Sequence, residues 1–530
     1  MNGKMWTMAL LAGAVVTQAQ AQSTWALRFD AQGTWSGQKL ELVAAERGDY
    51  AVSPELIDQD GDFKIVARDA AGRVLYMQSV ADPRRLQAES FDPVTGRIVE
   101  AREIQLSSGQ FELRIPARDD VASIAIEIHE PGMRAAGATT PTTAAVFRRE
   151  DIEGRIADTG MRMRTAKAAS STAMLYQSGP SSQRFDIVLI GDGYTAAEQA
   201  KWQADAKRVA DGLLADPLFN AHRGALNIRR VDVISAQSGI DDLTYRTYRD
   251  TALGMNIGCY GLDRLVCADD NLVYSAVGSV TPADGRDVII AVGNTTRYGG
   301  AGGRIATMTM HASAIELALH EIGHTAFGLA DEYDYGTCSA GEPSEKNATR
   351  QTARNYIKWG DLIQSTTPVP TPVGRYSNGT IGLFSGSRYC KTGVYRPTED
   401  SRMRTLGRPW HAVNERIASA VIASHYKPDE AGTTTRGTLS GTGATATHPS
   451  PYHYTANGGE ISASLTGPAN ADFELILLRW NGSAWVSVAS STSPTSTELI
   501  RYTANAGYYS LQVKSYSGSG AYELKYELPR

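Results

Sequence analysis

The hydrophobic periodicity of the chain changes twice, and that change most constrains what it can fold into. From residue 25 to about 130, apolar residues alternate with others: Trp25, Leu27 and Phe29; Phe111, Leu113 and Ile115; Ile124, Ile126 and Ile128. A period of two places every second side chain on one buried face of a strand. No long amphipathic helix interrupts the pattern, so a small β-sandwich is expected. The alternation returns near the C-terminus, at Ile461, Ala463 and Leu465, at Tyr509, Leu511 and Val513, and at Tyr522, Leu524 and Tyr526. That stretch predicts a second β-sandwich. Between them, 185–190 is a continuous apolar strand, and Thr195 with Glu198 forms a capping-box signature. Trp202, Ala206, Val209 and Leu213 then recur at helical spacing, and 228–234 and 288–292 read as further strands. Strand–helix–strand order predicts an α/β domain.

The expected organisation is an export signal at 1–21, an N-terminal β-sandwich at 22–130 and a linker at 131–183. A catalytic α/β domain at 184–430, a Gly/Thr/Ser linker at 431–450 and a C-terminal β-sandwich at 451–530 follow. The chain's 530 residues suit several cores rather than one. The run Asp58-Gln-Asp60-Gly-Asp62 has its glycine at the fourth place instead of the sixth of a calcium loop, and reads as a solvated turn.

Lys4, the apolar run 5–16 and Ala19-Gln-Ala21 make the three parts of a secretory signal, with a mature start near Gln22. No later stretch reaches the roughly 18 apolar residues of a membrane span. Four cysteines in an exported chain favour two disulfides, with Cys259–Cys267 as a short local loop and Cys338–Cys390 as the other pair. The expected location is the medium or the periplasm. A net charge of −5 and the lack of a basic tract with interleaved aromatics argue against nucleic-acid binding.

The chemistry is concentrated in His320-Glu321-Ile-Gly-His324. Ser313 and Glu316 form a second capping-box signature before it, and Ile315, Leu319, Ile322 and Ala326 form an apolar stripe, so the motif lies on a helix. Histidines at i and i+4 stand on one helix face and can share one zinc ion. Glu321 beside them can act as general base toward a zinc-bound water whose pKa falls to about 7. A catalytic zinc takes three protein ligands. Gly328 can end the helix and let the chain double back to present Asp331 or Glu332. His311 is a weaker candidate.

His320-Glu-Ile-Gly-His324-Thr-Ala-Phe-Gly328-Leu-Ala-Asp331-Glu-Tyr333 resembles the IgA-peptidase (igalysin) family of bacterial zinc metallopeptidases. Arg396-Pro-Thr-Glu-Asp-Ser-Arg-Met403-Arg404 is similar to that family's second signature, and Gly507-Tyr-Tyr-Ser-Leu-Gln-Val513 resembles bacterial pre-peptidase C-terminal domains. The resemblance implies a metzincin-like catalytic domain with Asp331 as third ligand and Met403 in a tight turn beneath the metal. It makes Tyr333 and Tyr395 candidates for stabilising the oxyanion. It also implies that the strand 304–310 forms the sheet edge that pairs with an extended peptide. Two departures stand out. Gly328 and Asp331 fall eight and eleven residues after His320, one more than in many metzincins, and Ser401 and His411 occupy a region that often carries cysteines.

The favoured function is therefore a secreted, monomeric zinc metalloendopeptidase acting on protein or peptide substrates. The alternatives are a binding protein for glycan or host protein with a vestigial or structural metal, and a metal-dependent amidase acting on a cell-wall substrate. The N-terminal domain reads either as an inhibitory pro-segment or as a permanent module. No cysteine precedes Cys259, so a cysteine latch from that region is unavailable.

Overall fold

The computed structural model describes residues 23–33, 39–48, 50, 52, 63–128, 142–166, 171–334, 338, 341–425, 433–455, 458–468 and 470–529. The export signal at 1–21 and the aspartate-rich run at 58–62 lie outside the described residues. Among those described, no helix is long and apolar enough to cross a membrane.

The N-terminal region holds two antiparallel sheets. One has the order Lys39–Gly48, Thr24–Gln32, Ser108–Pro116; the other has the order Val74–Val80, Phe63–Arg68, Ser123–Ile128, Thr142–Arg148. The alternating residues Trp25, Leu27, Phe29, Phe111, Leu113, Ile115, Ile124 and Ile126 all enter one core between them. A third unit, the hairpin Arg85–Phe91 and Ile98–Gln105, forms a two-stranded sheet of its own, and Arg97 in its loop bridges to Thr405.

The central region is built on a six-stranded mixed sheet. Its order is Ser171–Gln177, Leu226–Asp232, Phe185–Asp192, Val288–Gly293, Ala306–Thr309, Gly300–Ala301. The four inner strands run parallel and the two outer ones antiparallel to their neighbours. Phe185–Asp192 is buried along its whole length because both faces are covered, which is why it reads as an uninterrupted apolar run. Ile187 and Leu189 face the helices Gln199–Ala215, Ala314–Thr325 and His411–His425. Val188 and Ile190 face the helix Asp270–Val280. The Thr195–Glu198 capping box is formed. The second box is not: Ser313 has φ −90° and ψ 5° instead of an extended backbone, so its hydroxyl makes no cap, and Glu316 pairs with Arg402.

The span 131–183, for which composition gives a linker, holds more structure than that. Thr142–Arg148 joins the N-terminal sheet, Arg149–Ala166 is a helix, and Ser171–Gln177 is the edge strand of the central sheet. Ala and Arg favour helix and the β-branched Thr residues favour strand, so a composition that looks linker-like is compatible with both. Thr433–Leu439 and Thr445–Thr455 are likewise strands where a Gly/Thr/Ser linker is expected. They belong to two four-stranded antiparallel sheets at the C-terminal end, which share the core of Ile461, Leu465, Leu475, Leu511, Val513 and Leu524.

The disulfides are Cys259–Cys267 and Cys338–Cys390. The N-terminal and central regions are joined by buried ion pairs. Arg286 lies between Glu112, at 3.0 Å, and Glu46, and Arg114 pairs with Asp287.

Candidate metal centre

The helix Ala314–Thr325 buries His320 and Glu321 and leaves His324 partly covered. Its C-terminus explains the geometry that follows. Gly328 has φ 60°, its N–H donates to the His324 carbonyl at 3.1 Å, and the Leu329 N–H donates to the Gly323 carbonyl at 2.9 Å. The first of these is the bond of an αL closure, which needs the left-handed residue that glycine supplies. The reversed chain then does two things. The Leu329 carbonyl accepts a hydrogen bond from His324 Nδ1 at 2.7 Å, and Asp331 is brought alongside both rings.

The His320 ring is fixed in the same manner, with Nδ1 donating to the Arg402 carbonyl at 2.9 Å. A carbonyl only accepts, so in both rings the Nδ1 carries hydrogen and Nε2 is left as the free donor to a cation. The two Nε2 atoms are 3.1 Å apart. Asp331 Oδ1 lies 3.1 Å from His324 Nε2 and 3.4 Å from His320 Nε2. That oxygen is buried and accepts no hydrogen bond of good geometry. Donors around a tetrahedral zinc, with bonds of about 2.0–2.1 Å, stand about 3.3 Å apart. The three atoms have that spacing, so these residues fit a zinc ion.

Glu332, the alternative ligand, turns the other way. It is fully buried and accepts from Ser401 Oγ at 2.7 Å, Asn414 Nδ2 at 2.9 Å and Asn347 Nδ2 at 3.0 Å. Adjacent residues on an extended chain point to opposite sides, so only one of Asp331 and Glu332 can face the histidines. His311 is also not part of the group: its Nδ1 accepts from the Ser313 N–H at 3.1 Å, and its ring packs edge-on against Tyr298.

Met403 is fully buried under the motif helix, where a Cβ on Gly323 would come within 2.6 Å of its sulfur. Its carbonyl accepts from the Glu332 N–H at 2.8 Å, and its own N–H donates to Ser401 Oγ at 3.1 Å. Ser401 thereby braces the turn by hydrogen bonds. His411 caps a neighbouring contact, its Nε2 lying 3.1 Å from the Asp400 carbonyl.

Glu321 lies against Gly302, where an added Cβ would fall 2.5 Å from Oε2. Burial raises the Glu321 carboxyl above its usual range, against the pull of His320 and His324. Burial alone would lower His320, but the close Asp331 and Glu89 carboxylates hold it well above its usual value. Asp331 is carried well below the carboxylate range in spite of its burial, chiefly by the charge of His324. Such a set of paired acids and imidazoles is the electrostatic signature of a functional site.

Two residues at the site have no marker in the sequence. Glu89, from the hairpin of the N-terminal region, is 4% exposed, and its Oε2 lies 3.2 Å from His320 Nε2. The ligand atoms of Glu89, His320, His324 and Asp331 all fall within 4.8 Å of one another. Burial, and then the charge of Asp331, push the Glu89 carboxyl up to about 8. Tyr389 donates from its hydroxyl to Asp331 Oδ2 at 3.0 Å and to Glu89 Oε1 at 3.2 Å. It sits in a two-residue hairpin turn in which Arg388 and Tyr389 have φ 47° and 65°. Such turns favour asparagine and glycine, so the sequence gives no turn signal there. The strained turn also clamps Asp331, whose carbonyl accepts from the Arg388 N–H at 3.0 Å and Ser387 Oγ at 2.8 Å.

Of the tyrosines expected at the site, Tyr333 is buried with its hydroxyl 3.4 Å from that of Tyr389. Tyr395 lies on Cys390–Arg396, paired with Thr349, and packs on the central core. The expected edge strand is also corrected. Ala306–Thr309 is flanked on both sides, and Gly300–Ala301 is the outer strand. The glycines at 299–303 serve close internal contacts, as at Gly300 with Leu317 and Gly302 with Glu321.

Residues 173–378 match the family model described as IgA Peptidase M64. Among solved structures, the chain is similar to the pre-peptidase C-terminal domain of collagenase from Bacillus anthracis, at 22% identity over 18% of this chain and 89% of that one, with a TM-score of 0.16. It is also similar to the Yersinia pseudotuberculosis-derived mitogen, at 23% identity over 18% and 83%, with a TM-score of 0.15.

Proposed function

Because residues 173–378 match the IgA peptidase family, we propose that this protein is a secreted zinc metalloendopeptidase with a metzincin-like catalytic domain between two β-sandwich modules. His320, His324 and Asp331 would hold the metal. One observation carries the reading: both Nδ1–H groups are committed to backbone carbonyls, so two Nε2 lone pairs and the Asp331 carboxylate converge beside the buried Glu321. Zinc, when bound there, supplies a Lewis acid that polarises the scissile carbonyl and lowers the pKa of a water to about 7. Glu321 accepts the proton of the attacking water and delivers it to the leaving amine. Tyr389, kept protonated by burial and by the charges of Asp331 and Glu89, holds its hydroxyl against those two carboxylates and so orients Asp331. The two disulfides support an oxidising destination outside the cytosol.

One observation favours a second reading, a binding protein with a structural metal: Glu89 makes a fourth donor, and structural zinc sites are closed. The experiment that separates them compares hydrolysis of a denatured protein mixture by the unsubstituted chain and by Glu321→Gln, with zinc content determined for each. The peptidase reading expects about one zinc per chain in both and a loss of at least 10²-fold in hydrolysis in the variant. Equal hydrolysis by the two proteins, or none by either once Glu89 is also replaced, refutes it.

A further inference from the structure

The N-terminal region sends one acidic side chain into the metal centre, and the manner of its delivery indicates what it does there. A buried carboxylate beside a second one, Asp331, needs a cation or protons between them. Glu89 approaches His320 Nε2 at 3.2 Å, the spacing of two donors sharing one metal. A catalytic zinc keeps one position open for water, and Glu89 is the fourth donor of this group.

The carrier of Glu89 is a flap. Its two strands pair only with each other, and the outer strand is largely exposed, Val99 being 56% accessible. A lone two-stranded hairpin has little stability of its own, so this one holds its place by docking. Phe91 packs edge-on against the His320 ring, with centroids 4.8 Å apart. Ala88 packs in one apolar cluster with Ala301 of the outer strand of the central sheet and with Leu262 and Leu265. Arg264 donates to the Phe91 carbonyl at 2.5 Å, and at the tip the Leu406 N–H donates to the Gly96 carbonyl at 2.9 Å. The base of the hairpin is fixed, with Leu106 N–H donating to the Arg84 carbonyl at 2.7 Å and buried Arg84 paired with Asp82. The rest of the N-terminal region is tied to the central region by Arg286 and Arg114. An opening of the hairpin about this base would leave those ion pairs intact.

We propose that Glu89 is an inhibitory metal ligand: the hairpin docks it into the position the peptidase needs for water, and the site admits substrate only when the hairpin swings away. The proposal rests on the peptidase reading above. It is tested on the full chain loaded with Co(II) in place of zinc, following the visible absorption of the metal as acetohydroxamic acid, a small chelating probe, is added. The unsubstituted protein, Glu89→Ala and the near-isosteric Glu89→Gln are compared; the last preserves the shape of the site if the alanine variant fails to fold. All three are expected to bind one Co(II). Both variants should shift their spectra with acetohydroxamate at least tenfold more tightly than the parent, and hydrolyse peptides at least tenfold faster. If the parent binds acetohydroxamate as tightly as the variants, the latch is refuted while the metal site stands. Loss of Co(II) from both variants makes Glu89 a structural ligand and also refutes the latch. If no protein binds Co(II), the peptidase reading fails and the latch with it.

Discussion

Replacing Gly302 with alanine is expected to disable Glu321 without unfolding the protein. Gly302 is not among the left-handed glycines, so alanine can adopt its backbone conformation. The new Cβ would fall 2.5 Å from Glu321 Oε2 and 3.5 Å from His324 Cδ2. Ordinary contact begins near 3.4 Å, so the carboxylate oxygen must retreat by about 0.9 Å, while the ring is barely touched. The oxygen ends a flexible side chain, so the fold can absorb that shift. Catalysis cannot absorb it, because a misplacement of about 1 Å costs on the order of 10²-fold in rate. That corresponds to about 2.7 kcal/mol in the barrier. The assay is kcat/KM for peptide hydrolysis, with zinc content and thermal unfolding measured in parallel, both in the unsubstituted protein and in a Glu89→Ala background. The expectation is an unchanged zinc content and melting temperature with a drop of about two orders of magnitude in kcat/KM. Full activity would refute the placement of Glu321 as general base. Loss of zinc together with activity would show that the alanine acts on the histidines instead.

Ser401→Ala removes the hydrogen bond to the buried Glu332 carboxylate and leaves the Met403 N–H without its partner, and is expected to cost about 3 kcal/mol in urea unfolding. An unchanged midpoint would contradict its bracing role. Glu198 is held down to about 2, first by the Thr195 backbone N–H, so its capping contribution is present above the usual glutamate range and is lost as pH falls toward 2. Glu198→Gln is expected to flatten that limb of the stability–pH profile, and an unaltered profile would refute the assignment. Zinc held at about 100 times its Kd adds about 2.7 kcal/mol of stability, so chelation is expected to lower the melting temperature measurably, and no shift would count against a resident metal.

Much of the site was legible because its chemistry is local. His320, Glu321 and His324 share one helical turn, and Gly328 marks the reversal that brings Asp331 back, so a single short segment carries most of the donor set. The choice between Asp331 and Glu332 was not legible. It depends on Asn347, Ser401 and Asn414, three residues from separate segments that occupy the Glu332 carboxylate. Glu89 lies 231 positions from His320, and nothing in its flanking strand distinguishes it from a solvated glutamate. Tyr389 is hidden by a turn whose residues contradict the usual turn chemistry, whereas Tyr395 was a candidate only through the family resemblance. Among the folds, the alternating strands and the buried Phe185–Asp192 followed from periodicity. The strands and helix within 142–177 did not, because the strands' partners, Ser123–Ile128 and Leu226–Asp232, belong to the sheets on either side and leave no local signal in this segment.

Anomalous diffraction at the zinc edge from crystals of the zinc-loaded full chain locates the ion itself. One peak is expected within about 2.0–2.2 Å of His320 Nε2, His324 Nε2 and the Asp331 carboxylate. A zinc-replete crystal with its peak elsewhere, or with Glu332 in place of Asp331, would contradict it.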